Sequence, residues 1–192
     1  MARRETIEER PEGLVYRPDF VTEDEERDLL ARMEAIDFRE VVMHGQPAKR
    51  TVRHYGLDYG YESWSLSPAD PLPPELTWVR DRCAELADVE PDELAQVLVS
   101  RYPPGAGIGW HRDAPMFGAA IVGVSLAAPC RMRFQRTAGD VRRVFALELE
   151  PRSAYVLAGQ ARSAWQHSIP ATKALRYSLT FRTLRNPERW RR

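Results

Sequence analysis

The chain of 192 residues balances 28 lysines and arginines against 28 aspartates and glutamates, with 43% apolar residues, 15 prolines, 11 glycines and two cysteines. That composition excludes a largely disordered chain, which would combine few apolar residues with a large net charge. It also excludes a disulfide or cysteine-rich zinc framework, so Cys83 and Cys130 read as buried thiols. No apolar run approaches the roughly 20 residues of a membrane-spanning helix, and the opening MARRETIEERPEG lacks the apolar stretch of a secretory signal. A single cytoplasmic domain with no membrane contact is expected, and the short chain points to a monomer. The net charge of zero removes the simplest argument for binding nucleic acid. The cations are nearly all arginine, with lysine only at Lys49 and Lys173, and guanidinium suits bidentate recognition of carboxylate or phosphate.

In chain order, Leu14, Val15 and Tyr16 suit a short strand, and Thr22 with Glu25 forms a capping box that opens a helix. Leu29, Leu30, Met33 and Ile36 fall on one face of that helix, while Glu23, Glu25, Glu26 and Arg27 are expected to solvate the other. Val41 and Val42, then Thr51, Val52 and Tyr55, suit a hairpin turning near Gly45 to Pro47. The proline-rich SLSPADPLPP is a loop, after which Leu76, Val79, Cys83 and Leu86 mark a second helix, with a further turn at PDELAQ. From Val97 onward the texture changes to short segments rich in β-branched and aromatic residues, among them VLVSRYP, AAIVGVSL, RMRFQR, SAYVLAG and RYSLTFR. An antiparallel sandwich or barrel is expected there, giving an α+β chain.

Within this β-rich half, His111 and Asp113 in GIGWHRDAPMFG stand two apart, a spacing that in a strand turns both side chains to one face. His167 in SAWQHSIP supplies a third donor. Two histidines and a carboxylate occupy one face of an octahedral metal and leave three positions open, the arrangement of non-haem Fe(II) oxygenases. Zinc enzymes also use two histidines and a carboxylate, typically from HExxH on a helix, which this chain lacks. An H-x-D pair alone is weak, because His111 balanced by Asp113 in a surface loop is the ordinary alternative. The third element is RYSLTFR, where Arg176, Ser178, Thr180 and Arg182 share one strand face, opposite Tyr177, Leu179 and Phe181. Two inward-facing arginines are costly unless they meet an anion, and a dicarboxylate with an α-keto acid end would chelate the metal and offer its far carboxylate to Arg176.

Together, HRD at 111 to 113, His167, RYSLTFR and SRYPPGAGIGWHRD resemble the signature of the AlkB family of Fe(II)- and 2-oxoglutarate-dependent dioxygenases. The resemblance implies a double-stranded β-helix (jelly-roll) core over residues 97–185, preceded by a 1–96 extension with helices packed on one sheet and a hairpin substrate lid, and followed by a basic tail over 186–192. It implies His111, Asp113 and His167 as iron ligands, Tyr102 as a donor to 2-oxoglutarate, Arg176 at its distal carboxylate, Ser178 beside it and Arg182 near the chelating carboxylate. Arg176 and Arg182 lie six residues apart, about 20 Å in an extended strand at roughly 3.3 Å per residue, so Arg176 is the better fit to the distal carboxylate. Two departures stand out. Ser100 and Ser178 occupy positions where the founding pattern has asparagine, and Ala114 and Pro115 follow Asp113 where DNA-repair members often carry an acidic residue.

The chemistry so implied consumes O2 and 2-oxoglutarate and oxidises a C–H bond, releasing formaldehyde when the target is an N-methyl group. For an alkylated DNA or RNA base, the candidate plates are His54, Tyr55, Tyr59, Tyr61, Trp64 and Trp110, and Arg53, Arg131, Arg133 and Arg162 are candidates for phosphates. Packing competes with substrate contact at each, and solvated sheet surface is the ordinary reading of Arg131, Arg133, Arg142 and Arg143. An oxygenase of a protein side chain or small molecule, favoured by the neutral charge, and a non-catalytic β-barrel are the alternatives.

Overall fold

The computed structural model describes residues 5–43, 45–61, 63 and 65–189; Trp64 and the last three residues of the basic tail lie outside them. The strands in chain order are β1 (Glu5–Glu8), β2 (Leu14–Arg17), β3 (Arg39–Met43), β4 (Gln46–Tyr55), β5 (Leu57–Gly60), β6 (Ser65–Pro68), β7 (Gln96–Tyr102), β8 (Ile108–His111), β9 (Phe117–Leu126), β10 (Cys130–Ala138), β11 (Val141–Leu149), β12 (Ser153–Leu157), β13 (Gln166–Ile169) and β14 (Arg176–Leu184). The helices are α1 (Glu23–Glu34), α2 (Thr77–Ala87) and the short α3 (Gly159–Ser163). The expected cap opens α1: Thr22 accepts the Glu25 N–H, and Glu25 accepts the Thr22 N–H at 2.8 Å. None of the described helices is long and apolar enough to cross a membrane.

A seven-stranded sheet in the order β2-β12-β9-β14-β7-β4-β3 faces a five-stranded sheet, β1-β11-β10-β13-β8. This is the double-stranded β-helix, with α1 and α2 outside the larger sheet. Alternation along each strand sorts its residues. Val97, Val99, Val122, Val124, Tyr177, Leu179 and Phe181 turn outward against Leu29 and Met33 of α1 and Val79 and Cys83 of α2. Ile121, Tyr155 and Leu157 turn inward and meet Met132, Phe134, Leu149 and Ile169 from the smaller sheet and the strands beside it, with Trp165 below. Because both of its faces are covered, β14 is buried along nearly its whole length, and its polar residues point into the space between the sheets.

The amino-terminal half is woven into both sheets. β1 pairs in parallel with β11 and β2 pairs with β12. The β3–β4 hairpin expected as a lid continues the larger sheet, since Thr51 to Tyr55 pair with Val97 to Arg101 of β7; its end past Thr51 runs beyond β7. β5 and β6 form a separate ribbon.

Glu26 departs from the expectation of a solvated face. It is buried, its Oε2 accepts from Arg152 Nη1 at 3.1 Å, and its Oε1 accepts the Ala127 N–H at 2.9 Å. Both partners sit at tight turns with positive φ, 64° and 71°, and the carboxylate ties these turns to α1. Glu26→Ala leaves a half-buried guanidinium and a backbone N–H unmatched, so it is expected to lower stability by about 2 kcal/mol, read as a lower urea midpoint with an unchanged slope.

Candidate metal centre

β8 ends at His111, and Asp113 follows in an irregular loop. The H-x-D pair therefore meets through a turn at a strand end, and the same-face alternation expected for it does not apply. β13 runs antiparallel to β8 and sets His167 directly opposite His111, with ring centroids 4.3 Å apart. One ligand atom from each of His111, Asp113 and His167 lies within 4.8 Å of the others, and His167 Nε2 is 3.5 Å from Asp113 Oδ2. His111 Nδ1 donates to the Gly109 carbonyl at 2.9 Å, which leaves Nε2 as the lone-pair nitrogen.

The electrostatics hold these groups in their ligating states. Burial pushes Asp113 up, but the Arg182 guanidinium beside it outweighs this and holds the carboxyl well below the usual range. Burial, then the neighbouring His111, brings His167 down to about 3 against the opposing pull of Asp113. Burial also lowers His111, again against Asp113. Two neutral imidazoles and one carboxylate result, the donor set that suits Fe(II) with open positions.

Facing the triad across the sandwich, the inner face of the larger sheet carries polar side chains in cross-strand register. Arg176 pairs with Tyr102, Ser178 with Ser100 and Ser125, Thr180 with Leu98 and Arg182 with Gln96. Arg176 is fully buried; its Nε donates to Ser125 Oγ at 3.0 Å, while Nη1 and Nη2 have no partner. Its guanidinium lies 5.0 Å from the centroid of the Tyr102 ring. An unpartnered buried guanidinium fits a carboxylate, and Ser178 lines the same cavity as Arg176, Tyr102 and the triad. Arg182 is already engaged: Nε donates to Asp113 Oδ1 at 2.9 Å, Nη2 forms an ion pair with the same oxygen at 2.7 Å, and Nη1 donates to Gln96 Oε1 at 3.0 Å.

The substrate candidates separate. Tyr55 sits in the core against α2, because its odd register from His54 turns it to the helix side of the sheet; it does not reach the cavity. Trp110 precedes an inward His111 and so faces outward, exposed, with the Arg133 guanidinium 5.0 Å from its ring centroid. Arg162 is not free for phosphate: it donates to the carbonyls of Asp113, Ala114, Phe117 and Gly118 at 2.9 to 3.2 Å. Arg53 pairs with Asp70 and Arg131 with Glu148. Tyr59 stands near the metal loop, edge-on to Phe117 at 5.7 Å and to Tyr61 at 5.1 Å. Beyond His111 and Asp113 an open cleft of about 1060 Å³ is lined by Arg112, Pro115, Gln166 and Arg185.

Sequence reading missed Arg50, His54 as a partner within the fold, and Gln96. Gln96 is fully buried and lies 3.0 Å from His54 Nδ1, which also accepts the Tyr59 N–H at 3.3 Å. Its even spacing from Ser100 and Tyr102 was the available signal.

The family model described as the 2OG-Fe(II) oxygenase superfamily matches residues 13–182. The alkylated DNA repair protein ALKBH8 homolog of Arabidopsis thaliana is 33% identical over 91% of this chain and 59% of its own length. The tRNA (carboxymethyluridine(34)-5-O)-methyltransferase alkbh8 of Xenopus tropicalis is 32% identical over 85% of this chain, which spans 26% of that relative. The α-ketoglutarate-dependent dioxygenase AlkB of Escherichia coli is 31% identical over 76% of each chain. Among solved structures, OsALKBH1 superposes with a TM-score of 0.71 at 17% identity over 91% of this chain and 97% of its own. A Pseudomonas putida prolyl-4-hydroxylase gives 0.64 at 15% over 90% and 93%. These two likenesses are of fold alone.

In the metal-free protein, His167 at about 3 and His54, lowered by burial to about 4, remain neutral where the unfolded chain would protonate them near 6.5. The unfolded state binds more protons below that pH, so stability is expected to fall as pH drops from about 6.5 toward 4. His54→Gln removes one such group without touching the triad and should flatten the decline; equal slopes in thermal melts across that range would contradict this.

Proposed function

The chain belongs to the AlkB family of 2OG-Fe(II) oxygenases, and from that membership we propose that it is an Fe(II)- and 2-oxoglutarate-dependent dioxygenase acting oxidatively on alkylated bases of DNA or RNA. The observation that carries this reading is the placement of His111, Asp113 and His167 in one cavity with the unpartnered Nη atoms of buried Arg176. His111, Asp113 and His167 would hold the iron. Arg176 binds the distal carboxylate of 2-oxoglutarate, with Tyr102 and Ser178 beside it. Bound iron and cosubstrate supply oxygen activation, converting 2-oxoglutarate to succinate and CO2 while one oxygen enters a substrate C–H bond.

The chain's own residues orient and protect. Arg182 keeps Asp113 ionised and turned toward the two imidazoles, and Ile108, Ile121, Met132, Leu157 and Ile169 keep the inner cavity poor in water. Substrate approaches through the outer cleft, where Arg112 and Arg185 offer charge and Phe117, backed edge-on by Tyr59, offers an aromatic edge. Hydroxylation of an N-methyl group there yields a carbinol that collapses to formaldehyde. A protein or small-molecule substrate is the second reading, favoured by the zero net charge and by the engagement of Arg53, Arg131 and Arg162 within the fold.

With Fe(II) and 2-oxoglutarate, the purified protein is expected to form succinate, and His167→Ala should abolish both turnover and tight iron binding. Formaldehyde release from methylated oligonucleotides, weakening steeply with salt, supports the nucleic-acid reading; release from methylated peptides alone overturns it. Arg176→Ala removes charge-assisted bonds and is expected to raise the half-saturating 2-oxoglutarate concentration about 100-fold while sparing iron binding.

A further inference from the structure

Gln96 lies on the inner face of the larger sheet without lining the cavity, yet it is fully buried and both ends of its amide are bonded. Cross-strand register sets it opposite Arg182, and His54 pairs with Leu98, the next inward residue of β7. Arg182 Nη1 donates to Gln96 Oε1 at 3.0 Å, and Gln96 Nε2 lies 3.0 Å from His54 Nδ1. A guanidinium only donates, so it meets the amide oxygen, and the amide N–H is thereby turned toward His54.

His54 is set to accept that N–H. Burial brings it down to about 4, so the ring is neutral near pH 7, and its Nδ1 also takes the Tyr59 N–H at 3.3 Å. Asp58 Oδ1, 3.6 Å from the same nitrogen, stands beyond hydrogen-bond reach. Two donors converging on Nδ1 leave the ring proton on Nε2. The direction of each bond from Arg182 to His54 is therefore fixed.

At the other end, Nε and Nη2 of Arg182 both meet one oxygen of Asp113, Oδ1, while Oδ2 lies 3.5 Å from His167 Nε2. The Phe117 ring, its centroid 4.6 Å from the guanidinium, packs against it without offering an acceptor. Rotation of the guanidinium in its own plane is thus checked by the Nη1 bond to Gln96. We propose that Gln96 and His54 are positioning residues for the metal ligand Asp113: they hold Arg182 so that it occupies Oδ1 and leaves Oδ2 to the metal. This rests on the oxygenase reading above, in which Asp113 is a ligand. Without Gln96, a buried N–H of Arg182 is unmatched, and the guanidinium turns toward another acceptor and takes Asp113 with it.

The test titrates the metal-free protein with Co(II), in the absence of 2-oxoglutarate, by isothermal calorimetry. Gln96→Met, similar in length but without the amide, is expected to weaken Co(II) binding about tenfold. His54→Phe is expected to weaken it as well, whereas His54→Asn, which puts an acceptor oxygen where Nδ1 stands, is expected to bind close to the wild type. Glu26→Ala, which loosens the fold from the helix side of the larger sheet, is expected to keep the wild-type affinity. Wild-type affinity in Gln96→Met or in His54→Phe overturns the proposal. So does an equal loss in His54→Asn and His54→Phe, or a loss in Glu26→Ala as large as that in Gln96→Met, since either reduces the effect to general stability. Absence of Co(II) binding in the wild-type protein would instead remove the oxygenase reading on which the proposal stands.

Discussion

A carboxylate taken out of water has to be matched by positive charge, and the burial of Asp113 against Arg182 governs the arrangement around it. Arg182 lies on the inner face of β14, so meeting Asp113 fixes the loop after β8 to one height on that sheet. The same guanidinium reaches Gln96 on the next strand, and Gln96 reaches His54. A line of hydrogen bonds thus runs from the metal loop across β14, β7 and β4. Each buried polar group in it has a partner, which is the condition for such a network to specify one structure.

What the amino-acid sequence reveals follows from how local each feature is. The capping box at Thr22 depends on four consecutive residues, and the polar and apolar faces of β14 depend on alternation within one strand; both are readable. Features that depend on which strands become neighbours are not. Arg50 enters the cavity because β4 docks on β7, Glu26 is buried because two distant turns converge on α1, and Arg162 is consumed by carbonyls that arrive from another loop. The opposite facing of Trp110 and His111 was within reach of alternation alone, and Tyr55 beside His54 follows the same rule.

The zero net charge takes on a different meaning once the charges are placed. Several arginines at the surface are answered from within the chain: Arg39 by Asp58, Arg53 by Asp70, Arg82 by Glu25 and Arg143 by Glu9. Arg50 and Arg176, by contrast, are buried and form no ion pair among the described residues. Zero net charge weakens long-range steering toward polyanions, while the buried guanidiniums face an anion small enough to enter the sandwich.

The four carbonyl contacts of Arg162 bear on how a metal is acquired. Arg162 belongs to α3, which leads into β13 and His167, while its carbonyl partners belong to the loop that carries Asp113 and to the start of β9 that follows it. One side chain thus couples the segments bearing two of the three ligands, and pairing of β13 with β8 couples the third. The ordering entropy of bringing these donors together is spent when the chain folds, so an arriving ion meets a mould already cast. Selection among metals then rests on fit to a fixed geometry.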